Sequence, residues 1–139
     1  FRYILKTQPD ASINKQIMAV FNEYRRRNKK LTGSYNGYTF STALDDVYYI
    51  SMSNHIATLH TTKGDFEIYR QMKDLENELN EFGFFRCHRS YMVNIQHIHV
   101  MRSDFVFILD DSNHSDIPIG IRYRKQAEDN FLNSIRMGV

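Results

Sequence analysis

Beyond residue 38 the chain is a succession of short runs rich in Val, Ile, Tyr, Phe and Thr, each cut off by polar residues. Such side chains suit a pleated, half-buried surface, and runs this short do not make long helices. They predict strands at 38–42, 47–52, 55–61, 65–69, 84–87, 91–95, 97–102, 105–109 and 116–119. Polar stretches such as TKGD and DDSNHSD read as turns between them. Helical spacing shows in three places. Ile13, Ile17, Val20, Phe21 and Tyr24 follow the capping residue Asp10 and lead into the basic run RRRNKK. Met72, Leu75, Leu79 and Phe82 mark a second, acidic helix that Gly83 stops. Ala127, Phe131 and Ile135 stand four apart in a third, starting near Tyr123. The expected class is mainly β with α: small antiparallel sheets, one helix between strands, a C-terminal helix and an N-terminal helix.

A chain of 139 residues that is 42% hydrophobic can bury one real core. No run approaches the roughly 18 apolar residues of a membrane span, and the N-terminus lacks the apolar segment of an export signal. No membrane partner is expected, and a cytoplasmic location is. The single cysteine, Cys87, cannot form an internal disulfide, which fits a reducing compartment. Phe1 in place of Met suggests a piece of a longer protein. Charge is uneven. Residues 1–30 hold eight Lys or Arg against two acids, leaving ten basic and fourteen acidic residues in 31–139. Bulk basicity therefore cannot carry a nucleic-acid reading of the larger part, and placement of charge must.

Catalytic patterns are poorly represented. The chain has no glycine-rich phosphate loop, serine elbow or His-Glu zinc helix. Cys87 and His88 are strand neighbours that point to opposite faces, so Cys87 reads as a small buried thiol. His97 and His99 share a strand face but lack further ligands nearby, and DDSNHSD lacks the central Gly and closing Glu of a calcium loop. No metal, no cofactor and no enzymatic activity are expected.

The remaining puzzle is FGFFRCHRSYMVNIQHIHV, where Arg86, His88 and Arg89 crowd into a strand-like run. With LDDVYYISMSNHIATLHTTKGDFEIYRQMKDLENEL before it and IPIGIRYRK after it, this stretch resembles the LytTR family of bacterial DNA-binding domains. The resemblance covers about residues 38–136, and its most specific piece is F-R-x-H-R-S-Y-M-V-N, from Phe85 to Asn94. It implies an elongated assembly of small β-sheets whose loops, rather than a recognition helix, enter successive grooves of double-stranded DNA. It places DNA contacts at His88 and Arg89, at Asn54 and His55 in SMSNH, and at Arg122, Arg124 and Lys125 in GIRYRK. Where the family pattern after Ile-Pro-Val is Ser-Arg, this chain has Gly120 and Ile121. Phe85, Tyr91, Val93 and Ile95 would hold the flanking strands, and Arg86 would point away from the turn. Asn94 would either close the following turn or contact DNA.

FRYILK followed by a basic-ended amphipathic helix resembles the last strand and helix of a response-regulator receiver domain, although Thr7 and Gln8 separate Lys6 from Pro9. Together these resemblances imply a receiver remnant at 1–30, a linker at 31–37 and a DNA-binding domain at 38–139. The implied function is the output domain of a two-component response regulator, reading repeated half-sites as two copies. Two rivals stand beside it: a protein-interaction module, and a single-strand or RNA binder stacking bases on Tyr48, Tyr49 and Tyr91.

Overall fold

The structure, a computed structural model, describes residues 29–136. The expected N-terminal helix and receiver-like strand lie outside the described residues. Within them, strands β1 (Lys30–Tyr35) and β2 (Tyr38–Ala43) form a hairpin. Strands β3 (Val47–Ser53), β4 (Ile56–Thr61), β5 (Gly64–Ile68), β6 (Phe84–His88) and β7 (Tyr91–Asn94) form an antiparallel sheet in the order β5-β4-β3-β7-β6. A third sheet, β10-β9-β8, contains β8 (Ile98–Arg102), β9 (Val106–Leu109) and β10 (Asp116–Pro118). Helix α1 (Met72–Leu79) connects β5 to β6, and α2 (Arg124–Arg136) follows the last sheet. The expected mainly β class with two of its helices is what the described residues form.

Strands β6 and β7 are covered on both faces, so neighbouring apolar residues such as Phe84 and Phe85 are both buried, in different cores. On one face Ile50, Leu59, Phe84 and Met92 pack with Leu75 and Leu79 of α1 and with Leu31 of the hairpin. On the other, Phe85, Cys87 and Val93 pack with Phe107, Leu109 and Ile117 of the three-stranded sheet and with Ala127 of α2. The period-two geometry of a strand sends Met92 to the first core and its neighbour Val93 to the second.

Residues 31–35, expected as linker, are instead a strand. The register runs from Lys30 opposite Ala43 to Tyr35 opposite Tyr38, around Asn36 and Gly37 with φ of 53° and 87°. Asn-Gly in this conformation is a hairpin turn, and the same small polar residues that suggest a linker are those the turn needs. Leu31 is fully buried. A Cβ on Gly33 would overlap the side chain of Ile68, so this glycine lets the hairpin lie against β5.

Helix α1 ends as its sequence suggests, in a 3-10 turn over Asn80–Phe82 and then Gly83 at φ 90°. In α2, Ala127 is buried and Phe131 meets Phe107 edge-on at 5.9 Å, but Ile135 is 57% exposed. The helix continues past the apolar surface it packs on.

Asn94 is fully buried. Its amide donates to the carbonyls of Leu44 (3.2 Å) and Val47 (2.9 Å), and its Oδ1 accepts from the backbone N–H of Gln96 (3.1 Å). Of the two roles the sequence left open, the structure supports turn closure. Asn94→Ala would leave these backbone groups unpaired in the interior and should lower stability by about 2–3 kcal/mol in urea unfolding. Leu31→Ala, by opening a cavity, should cost about 2–4 kcal/mol, whereas a true linker residue would cost almost nothing.

Candidate nucleic-acid interface

Strands β3 and β7 are antiparallel with Ser51 opposite Tyr91, so the turn leaving β3 and the turn entering β7 stand at one end of the sheet. The backbone N–H of Met52 donates to the Ser90 carbonyl at 2.9 Å, tying the two turns together. A third loop joins them: Gly120 N–H donates to the Cys87 carbonyl at 2.8 Å, and a Cβ on Gly120 would sit 3.5 Å from the His88 ring. Three segments far apart in sequence thus share one rim.

In the first loop, Asn54 and His55 are the two central turn residues, both exposed, with φ of 50° and 67°. Left-handed backbone is uncommon for any residue with a side chain, and at the second position, His55, glycine would be the favoured choice. In the second, Arg89 is exposed, and its carbonyl accepts a 2.6 Å hydrogen bond from Arg86 Nη2. Arg86 also lies over the Tyr123 ring at 5.9 Å, and its Nε is buried without a partner. Contrary to expectation, Arg86 does not point away: a bulge between Arg86 and His88 breaks the alternation, and Arg86 braces the turn. His88 is half-buried with its ring near Tyr91, and its Nδ1 accepts from Ser90 N–H at 3.1 Å. In the neutral ring that leaves Nε2 as the donor.

In the third loop the expected cations separate. Arg122 and Lys125 are exposed. Arg124 is half-buried with its guanidinium 3.9 Å from the Phe105 ring centroid and its Nε enclosed, so it works as packing. Cationic character at the rim therefore rests on Arg89, Arg122 and Lys125. Acidic side chains of the helix end sit elsewhere: Glu78 pairs with Arg70 at 2.8 Å, and Glu81 precedes Gly83, whose carbonyl accepts from Ile95 N–H at the opposite end of β7. These two acids therefore stand away from the rim.

The other candidates are engaged internally. Tyr49 stacks on His60 (4.0 Å, 11°), Tyr48 meets His97 edge-on at 4.8 Å, and Tyr91 sits between Tyr49 and His88. These half-buried rings do not offer free stacking platforms. Cys87 is buried and its thiol is pushed up to about 12 by desolvation, so it is no nucleophile at neutral pH. His97 lies in a 3-10 turn, not the expected strand. Its nitrogens contact Asp110 Oδ1 (2.9 Å) and the Asp45 carbonyl (2.7 Å), leaving neither for a metal. A cleft of about 240 Å³ between Tyr49 and Asp111 contains His60, but Ser51 Oγ (2.9 Å) and Asp65 (3.1 Å) occupy both ring nitrogens. Burial pushes the pKa of His60 down, partly offset by Asp65. Asp111 beside it accepts from the Ser115 N–H at 2.7 Å and serves the β9–β10 turn. No described helix is long and apolar enough to cross a membrane. Sequence reasoning missed two rim residues: Arg86 as a brace, and Ile121, whose side chain is 79% exposed. The departure from the family pattern at Ile121 was the one available signal for the latter.

Comparison with known proteins gives the family and the fold. The model of the LytTr DNA-binding domain matches residues 38–131. The sensory transduction protein LytR of Staphylococcus saprophyticus is 31% identical over 84 residues, covering 60% of this chain and 33% of that protein. The transcriptional regulatory protein LytR of Staphylococcus aureus is 41% identical over 49 residues, 35% of this chain and 20% of its own length. The chain thus spans about a third or less of these curated relatives. Among solved structures, the LytTr DNA-binding domain of a putative methyl-accepting/DNA response regulator from Bacillus cereus superposes with a TM-score of 0.65 at 20% identity, covering 74% of this chain and 96% of that one. That likeness establishes the fold. The family match extends over well more than half of the chain, and the protein belongs to the LytTr DNA-binding domain family.

Proposed function

We propose that this chain is the sequence-specific, double-stranded DNA-binding output domain of a two-component response regulator that controls transcription, and that it is not an enzyme. The observation that carries the reading is the convergence of three loops on one rim, with Asn54, His55, Arg89, Arg122 and Lys125 all exposed there. Arginine presents a planar fork that matches guanine O6 and N7 or a phosphate, and the carboxamide of Asn54 suits adenine N6 and N7. His88 adds a donor from its half-buried ring. Loops spaced along a rim suit entry into neighbouring grooves, and two copies on repeated half-sites would supply the length of a specific site. In this reading residues 1–30 are the end of a receiver domain, with the DNA-binding domain beginning at the β1–β2 hairpin. The LytR relatives, named as sensory transduction and transcriptional regulatory proteins, support it.

A protein-interaction module would hold no affinity for a duplex and no preference among duplex sequences. For the DNA reading, duplex affinity should fall steeply with added salt, and the log–log slope should report a few phosphate contacts at about 0.9 each. Arg89→Ala should cost about 1–3 kcal/mol on the preferred duplex and relax the preference at one base position. Lys63→Ala, an exposed cation in the β4–β5 turn at the far end of the sheet, supplies the control and should change neither. A flat salt response, or equal losses from both substitutions, contradicts the proposal.

The strained turn makes a separate forecast. Replacing His55 by glycine should relieve left-handed strain and raise the urea midpoint, with a gain of about 0.5–1 kcal/mol, while weakening duplex binding. If stability rose with affinity unchanged, His55 would be structural only.

A further inference from the structure

Among the described residues, Ile121 is the most exposed large apolar one, at 79%. Its position is not incidental. Residues Ile121–Tyr123 form a single 3-10 turn following Gly120. In such a turn residues three apart eclipse one another, so Gly120 and Tyr123 share one side, and neither Ile121 nor Arg122 lies on it. The first side is anchored: Tyr123 packs against the second core, its N–H donates to the Gly120 carbonyl at 2.9 Å, and Gly120 abuts the His88 ring. The fold therefore holds Ile121 outward on a braced turn, directly after the residue that touches His88. Arg122 and Lys125 beside it are exposed cations.

An exposed apolar group followed one and four residues later by exposed cations fits one feature of duplex DNA closely. In the major groove the C5-methyl of thymine is the apolar mark on the base edges, and phosphates line the groove on either side. We infer that Ile121 reads a thymine methyl within the recognised site, flanking cations holding the backbone while the isoleucine excludes water from that methyl. This inference rests on the DNA-binding reading above and adds to it a base identity at one loop. A protein partner burying the same isoleucine is the competing occupant. The cationic neighbours and the shared rim with Arg89 favour the polyanion.

The test uses the duplex enriched from a random pool by the full 139-residue chain, with each thymine replaced in turn by deoxyuridine, which removes only the methyl group. Affinities of the wild type and of Ile121→Ala are compared on every duplex by fluorescence anisotropy, forming a double-mutant cycle between protein and DNA. One deoxyuridine position should weaken wild-type binding roughly fourfold, the effect of one methyl group returned to water. Ile121→Ala should weaken binding to the thymine duplex by at least as much and show no further loss at that position. Circular dichroism confirms that the variant is folded. If the wild type prefers a duplex but no thymine couples to Ile121, the inference fails and the DNA reading stands. If no duplex is preferred at all, both fall.

Discussion

The antiparallel pairing of β3 with β7, Ser51 opposite Tyr91, determines where the rim loops stand. Because strand side chains alternate between faces, a slip of one residue would exchange Met92 and Val93 between two different cores. That register is therefore strongly specified by packing, and the β3–β4 and β6–β7 turns inherit their alignment from it. At the other end of β7, the buried carboxamide of Asn94 holds the carbonyls of Leu44 and Val47 and starts the turn that leads into the three-stranded sheet. Core packing and one buried amide thus position groups that themselves contribute little to stability.

The rim shows how exposed cations are kept available. Arg86 and Arg124 spend their charge on bracing, one on the Arg89 carbonyl and the Tyr123 ring, the other on Phe105. Arg89, Arg122 and Lys125 remain exposed. Arginine suits both tasks because its flat, weakly hydrated head stacks on rings as readily as it binds anions. Glu81 stands near Gly83, at the opposite end of the sheet from these three cations. Local placement matters more than total charge at these distances, since salt screens charges beyond about 8–10 Å.

Much of this was legible in the amino-acid order. The strand positions, the acidic helix ended by Gly83 and the C-terminal helix follow from local spacing and turn chemistry, which act over a few residues. What escaped was tertiary. Thr32, Gly33 and Ser34 carry no signal that Leu31 is to be buried as part of a hairpin, because the partner surface comes from Ile68 and α1. The bulge at Arg86 overrides strict alternation, so its side chain could not be aimed from sequence. Arg122 and Arg124 look equivalent as residues, and only the proximity of Phe105 separates them.

Selection from a random pool of double-stranded oligonucleotides by the purified chain, followed by sequencing, tests the central claim most directly. A domain that reads base edges from three rim loops should enrich a short motif, repeated in direct orientation about one helical turn of DNA apart. Uniform recovery of all sequences, or preferential capture of a single-stranded pool, would contradict it.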